Sequence, residues 1–205
     1  KGQIKVNVQG PDNSDRTVVF SNIASKVDIN KPGQKSLASL SMNVTDNGQK
    51  SDINAEMNVE TEKSKTLTLK GATGNLSVKI DELKLESVAV LLALAGHEIN
   101  ASGTLDADID AKIDDGKIEN LSASAKLQNL RQIIAGVETS IEKPVILDAK
   151  ITSPGQQVKI ENLSLTSSFC TLDCKGSASG LDYDMRADLE KLSRFAEQFG
   201  FLKKY

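Results

Sequence analysis

LDADIDAKIDDGKIENLSASAKL, residues 105–127, is the most regular stretch of the chain. In its first half Leu105, Ala107, Ile109, Ala111 and Ile113 are separated by Asp106, Asp108, Asp110 and Lys112. Successive side chains of a β-strand point to opposite faces, so this period of two describes a strand with one apolar and one acidic face. Asp115-Gly116 follows, a pair that tolerates the positive φ angles of a two-residue hairpin turn. The chain returns through Leu121, Ala123, Ala125 and Leu127. The stretch is an antiparallel hairpin that is greasy on one side only.

The return strand carries a second signal. In Lys117-Ile118-Glu119-Asn120-Leu121 two polar residues stand between apolar ones, which shifts the facing parity by one. A β-bulge absorbs such a shift, bending the strand while keeping its apolar face. The pattern recurs in Lys79-Ile80-Asp81-Glu82-Leu83 and Lys159-Ile160-Glu161-Asn162-Leu163. Three copies imply a long, curved antiparallel sheet.

Toward the N-terminus the alternation continues in Ile4, Val6 and Val8, in Val18 and Phe20, and, after a change of phase, in Ile23, Val27 and Ile29. Leu40, Met42 and Val44 lead into Asp46-Asn47-Gly48, a hairpin signal, and Ile53, Ala55, Met57 and Val59 come back. Leu67 and Leu69, then Leu76, Val78 and Ile80, continue the plan. Toward the C-terminus, Leu130–Ala135 reads as one helical turn. Val145, Leu147, Ala149 and Ile151, then Val158–Thr166 and Cys170–Cys174, read as strands, as do Leu181, Tyr183, Met185 and Ala187. Turns are expected at Pro11–Ser14, Lys31-Pro32-Gly33 and Pro154-Gly155.

Two longer segments repeat. Thr66–Gly96 and Thr171–Gly200 both begin Thr-Leu-x-x-Lys-Gly, place Leu five residues after the glycine, and pass through a strand into a short apolar segment closed by Gly. The Lys-Gly pairs are 105 residues apart, about half the chain. Such a period points to architecture, here two repeats over 1–98 and 99–205 within one continuous module. The closing segments are read as helices. Val88–Ala95 lies between Ser87 as N-cap and Gly96 as C-cap, and eight apolar residues are far short of the roughly 20 that cross a bilayer. Leu91, Leu92 and Leu94 are expected to seal the join between sheet segments. Leu189, Leu192, Phe195, Ala196 and Phe199 have helical spacing and are expected to cap the far end.

Composition narrows the function classes. Of 205 residues only 3% are aromatic, and Trp is absent, so the core is aliphatic. A net charge of −3 with interspersed signs leaves no basic footprint for nucleic acid. The chain begins at Lys1 without a signal-like segment and reads as a piece of a larger protein.

The chemical constellations have structural explanations. An EF-hand starting at Asp106 would need Gly and Glu where Ala111 and Lys117 stand. The comb Asp106, Asp108, Asp110 is therefore the solvated face of a strand. Cys170 and Cys174 share a face, and four residues of strand hold their Cα atoms roughly 13 Å apart, beyond the roughly 4.4–6.8 Å of a disulfide. They are expected as buried free thiols, with no metal site. His97, the only histidine, follows a helix end, where a cation suits the dipole. No nucleophile elbow, phosphate loop or metal-spaced cluster occurs, so neither an enzyme nor a cofactor is expected.

What remains is the apolar face. Its groove candidates are Met42, Val44, Ala55 and Met57 from the first half, Leu105, Ala107, Ile109, Ala123 and Ala125 from the central hairpin, and Leu147, Ala149, Leu172, Tyr183 and Met185 beyond it. Uncovered, this face would suit acyl chains, which need only aliphatic contact. Covered by a second sheet it would be a sandwich core, as in a structural or adhesive β-sandwich repeat of a large cell-surface protein.

Leu85–Leu130 resembles the AsmA/TamB-like family of bacterial envelope proteins. The resemblance rests on the Leu/Ala-rich Leu91–Gly96, on Gly103-Thr104-Leu105 opening a strand, on the Asp115-Gly116 turn and on the return Leu121–Leu130. Leu163-x-Leu165 followed by Leu172-x-x-Lys175-Gly176 and an amphipathic helix is similar to it as well. The resemblance implies an open, repeating β-groove in the periplasm or cell envelope, its parent anchored to the inner membrane. It further implies a part in phospholipid transport or outer-membrane assembly and homeostasis, with phospholipid acyl chains and the parent's flanking repeats as partners.

Overall fold

The computed structural model describes residues 2–9, 15–61, 71–94, 101–134, 137–141, 143–153 and 157–198. Twelve strands form one open, antiparallel sheet. In chain order they are β1 (Gly2–Gln9), β2 (Asp15–Asp28), β3 (Lys35–Asp46), β4 (Gln49–Thr61), β5 (Ala72–Lys84), β6 (Ala101–Asp114), β7 (Lys117–Ile134), β8 (Val137–Ser140), β9 (Val145–Thr152), β10 (Lys159–Thr166), β11 (Cys170–Ser177) and β12 (Gly180–Ala187). The strands lie side by side in sequence order, except that β8 sits beside the far end of β7. The near end of β7 pairs with β9. Helix α1 (Leu85–Leu94) stands between β5 and β6, and α2 (Leu189–Gln198) follows β12.

Local sequence explains the meander. Asn47 and Gly48 have φ of 49° and 78°, and Asp115 and Gly116 have 48° and 73°, so both hairpins turn through two residues of positive φ whose twist suits the flanking strands. Asp115 also accepts the Gly71 N–H at 2.9 Å, and the Gly116 N–H reaches the Ala72 carbonyl at 2.8 Å. The central hairpin is thereby tied to the start of β5.

All three Lys-Ile-acid-polar-Leu copies are bulged. The register slips between Ile80 and Leu83 against β6, at Glu119 against Ile113, and between Ile160 and Leu163 against β11. Two further bulges occur at Asn22 in β2 and Asn129 in β7. Asn22, Glu82 and Asn129 take positive φ near 50°, which Asn tolerates and Glu adopts at a cost. Glu82 is held there from both sides: its N–H donates to Asp106 at 2.9 Å, and its carbonyl accepts the Ser51 hydroxyl at 2.6 Å. Opposite the β10 bulge, Gly176 (φ 135°) lies so close to the backbone of Gly180 and Leu181 that a Cβ would meet it.

Two local expectations are corrected. Leu130 to Ile134 continues β7 instead of forming a helical turn. The Asn129 bulge resets the parity, turning Leu130 inward, while Arg131 and Gln132 pair with both β6 and β8. Helix α1 begins at Leu85, so Ser87 lies inside its first turn and not at the cap. The Ser87 hydroxyl donates to the Asp46 carboxylate at 2.8 Å. In α2 the cap is Asp188, whose carboxylate accepts the Lys191 N–H at 3.1 Å. The turns at Pro11–Ser14 and Pro154-Gly155, the strand through Leu67 and Leu69, and His97, Gly96 and Phe199 lie outside the described residues. So do the side chains of Leu91, Leu92, Leu94, Phe195 and Ala196.

The buried core is small and sits at one end. Val18, Phe20, Val44 and Leu83 form it, flanked by Val6, Ile23, Met42, Ile53, Ile80, Val88 and Leu105. Helix α1 packs on β5 and β6 at this end, bringing Val88 onto the apolar face. Among the described residues no helix is long and apolar enough to cross a membrane.

Candidate functional site

The apolar residues of neighbouring strands fall opposite one another, so they form rows that run across the sheet. One row follows Met42, Ile53, Ile80, Ala107, Ala125, Leu147, Leu165, Leu172 and Met185. A second follows Leu40, Ala55, Val78, Ile109, Ala123, Ala149, Leu163, Cys174 and Tyr183. A third starts at Ala38 and Met57 and passes through Leu76, Ala111, Leu121, Ile151 and Ile160. At about 4.8 Å per strand, each of the longer rows spans roughly 40 Å from β3 to β12.

Every groove candidate from the sequence lies on this face, twelve of them in these three rows. Val44 sits in the buried core beside Phe20, and Leu105 lies opposite Leu127 at the end covered by α1. The candidates are thus gathered into a strip and not a closed pocket. Sequence reasoning omitted Ile53, Leu76, Val78, Ile80, Leu121, Leu163 and Leu165, although the same period-two pattern marks them.

Among the described residues no second sheet covers the strip, since all twelve strands belong to the first. The sandwich arrangement is therefore excluded for the described residues. Exposure is greatest on the last strand: Leu40, Met57 and Leu147 are between 36 and 40% exposed and Leu163, Leu165 and Leu172 are half-buried, while Leu181, Tyr183 and Met185 on β12 reach 58, 70 and 56%.

The opposite face is polar, and its shape follows from one row of pairs. Lys26, Ser39, Glu56, Ser77, Asp110, Ser122 and Lys150 lie opposite one another in turn. Serines between long charged side chains leave furrows. Two shallow recesses result, about 550 Å³ around Ser39 and Ser77 and about 360 Å³ around Ser77 and Ser122. The bulge acids are neutralised on this face. Lys159 lies 2.9 Å from Glu161, and its hydrogen bond holds the Glu161 carboxyl below the usual range, aided by the Thr152 hydroxyl. Glu119 meets the Lys112 ammonium, whose pKa is raised by that hydrogen bond.

Asp106 bonds the Glu82 bulge, as described, and also accepts from Gln128 at 3.4 Å. The acidic comb thus has a structural role at its first tooth. Cys170 and Cys174 are free thiols, half-buried instead of buried. Among the described residues no group of three or more His, Cys, Asp or Glu is arranged to hold a metal. One polar cluster was missed entirely by the sequence reading. At the covered end Asp46 accepts from Arg16 (Nε to Oδ1, 2.6 Å) and from Ser87, and its carbonyl accepts from Lys84 at 3.3 Å. These residues lie up to 71 positions apart (87 minus 16), and no local pattern announces them.

Comparison with protein-family models, with curated proteins and with solved structures finds no match for this chain.

Proposed function

We propose that this chain is a non-enzymatic, lipid-handling module of a bacterial cell envelope whose apolar strip holds phospholipid acyl chains. The observation that carries the reading is the aliphatic strip itself, running from β3 to β12 with no second sheet over it among the described residues. Aliphatic rows without large rings offer contact along their whole length to a flexible chain, each buried methylene contributing about 0.8 kcal/mol. The charged rows of the other face keep that side in water, so headgroups would remain at the margins of the strip. The resemblance of Leu85–Leu130 to AsmA/TamB-like proteins agrees with this reading. It supplies the setting: the periplasm, a parent anchored in the inner membrane, and phospholipid transport or outer-membrane assembly as the task.

The test is lipid occupancy. Native mass spectrometry of the purified chain is expected to show bound phospholipid, and a fluorescent acyl probe to compete for the same surface. Ile109→Lys puts a charge in the middle of the strip and should lower probe affinity about tenfold or more, since a lysine ammonium beside an acyl chain must stay hydrated or lose its water. No lipid and no probe uptake by the folded protein would overturn the reading.

A further inference from the structure

Asn47-Gly48 is the one place in the chain where glycine follows asparagine; every other asparagine precedes a residue that carries a Cβ. Both residues are exposed, and a Cβ added at Gly48 would meet no atom within 4 Å. The Gly48 main-chain nitrogen is therefore shielded neither by a side chain of its own nor by a neighbour.

We propose that Asn47 is the position at which the chain deamidates spontaneously, and that its isoaspartyl product loosens helix α1 from the end of β3. Asparagine is thermolabile through this reaction, which needs only water. The Gly48 nitrogen gives up its proton to hydroxide and attacks Cγ of Asn47. The bond from Cγ to the side-chain nitrogen breaks, and that nitrogen takes a proton from water and leaves as ammonia. Water then opens the resulting five-membered imide at one of its two carbonyls. Over both steps one water enters and one ammonia leaves, with nothing oxidised or reduced. In the closed turn Asn47 and Gly48 are left-handed, at φ 49° and 78°, which turns the Gly48 nitrogen away from Cγ. Attack therefore requires the turn to open, and glycine has the backbone freedom for that.

The two products differ in what they do to the fold. Opening the ring at one carbonyl leaves an aspartate, and Asp115-Gly116 shows that Asp-Gly fits the same turn, with φ 48° and 73°. Opening it at the other leaves an isoaspartate, whose main chain runs through the former side chain and is one methylene longer. Strands β3 and β4 pair without a register shift from Lys35 opposite Glu60 to Asp46 opposite Gln49, so no bulge in this hairpin takes up the extra length. It falls on the residue next to Asp46, whose carboxylate binds Arg16 and the Ser87 hydroxyl of α1 and whose carbonyl accepts from Lys84. Moving Asp46 breaks the hydrogen bond that ties the first turn of α1 to β3.

The test keeps the full 205-residue chain folded in mildly alkaline buffer at body temperature. Peptide mapping by mass spectrometry should show Asn47 converting before any other asparagine, with isoaspartate in excess over aspartate. Chromatography separates the two products intact, and hydrogen–deuterium exchange then reads α1 in each. The amides of Leu85–Leu94 should exchange roughly tenfold faster in the isoaspartyl form, and at the parent's rate in the aspartyl form and in an Asn47→Asp variant. Another asparagine converting first would overturn the proposal. So would an Asn47 that stays intact in the folded chain while the urea-unfolded chain converts, or an α1 that exchanges equally in both products.

Discussion

Replacing Asp46 with Ala should loosen the covered end of the sheet more than any other single truncation of a polar side chain. The Asp46 side chain is 2% exposed and that of Arg16 is 11%. The carboxylate accepts from both nitrogens of one guanidinium edge and from Ser87 on α1. Removing it leaves the largely buried Arg16 guanidinium without this counter-charge, a change that costs about 3–5 kcal/mol when one partner of a buried pair is deleted. It also frees the Ser87 hydroxyl, adding about 1 kcal/mol for a buried donor left without its acceptor. Urea unfolding followed by circular dichroism is the suitable assay, because the chain has no Trp. The midpoint should drop with little change in slope. Ser87→Ala alone should cost about 1 kcal/mol. The double variant R16M/D46L, which removes both charges and fills the space, should be less damaged than Asp46→Ala alone, giving a coupling of about 2 kcal/mol or more. A cost for Asp46→Ala under about 1 kcal/mol would refute the pairing argument, because no buried charge could then have been stranded.

Three further outcomes follow from the bulges. Glu82→Asn should stabilise by a few tenths to about 1 kcal/mol, since Asn suits the positive φ that the other two left-handed bulge residues, Asn22 and Asn129, already occupy; chemical denaturation showing a loss would contradict it. Gly176→Ala should destabilise by about 1–3 kcal/mol, because the added Cβ meets the Gly180–Leu181 backbone at a φ that only glycine adopts easily, and an unchanged urea midpoint would be the disproof. The depressed carboxyl pKa of Glu161 makes its ion pair with Lys159 favour the fold above the ordinary glutamate value of 4.5. That contribution should fade as pH falls through the lower folded value, so Glu161→Gln should flatten the acid limb of a thermal stability profile. An identical acid limb in the variant would rule the pair out.

The meander was legible because its information is local. Period-two alternation, Asn47-Gly48 and Asp115-Gly116 state strands and turns within a few residues, and two adjacent polar residues state a bulge. The same signal stands at Ser21-Asn22 and Gln128-Asn129, between Phe20 and Ile23 and between Leu127 and Leu130. At the first it shows in the sequence only as a change of phase. At the second the alternation around it is too short to mark the shift, so Leu130 onward reads as a helical turn in the sequence alone. The start of α1 was misplaced for a different reason. Ser87 has the residue type of an N-cap, but the buried carboxylate of Asp46 competes for its hydroxyl, and that acceptor arrives from 41 residues away. For the strip, alternation identified the face but not its exposure, because whether a second layer covers a sheet depends on how many sheets the chain makes.

The unequal burial of the two halves follows from where the helices stand. Helix α1 enters between β5 and β6, and its first turn is bound to the end of β3 through Ser87 and Asp46, so it lies over the end of the sheet where Phe20, Val44 and Leu83 converge. Those residues exclude water. Among the described residues no helix enters between strands beyond β7, and the apolar side chains of β9 to β12 are half-buried or exposed. A sheet built this way owes its order in the second half to ladder hydrogen bonds and to the rows of Leu, Ala and Ile. Its last strand is therefore held least, with Leu181, Tyr183 and Met185 facing water. The acyl chains proposed above would answer this deficit, since they would supply to the face the cover that the described residues do not.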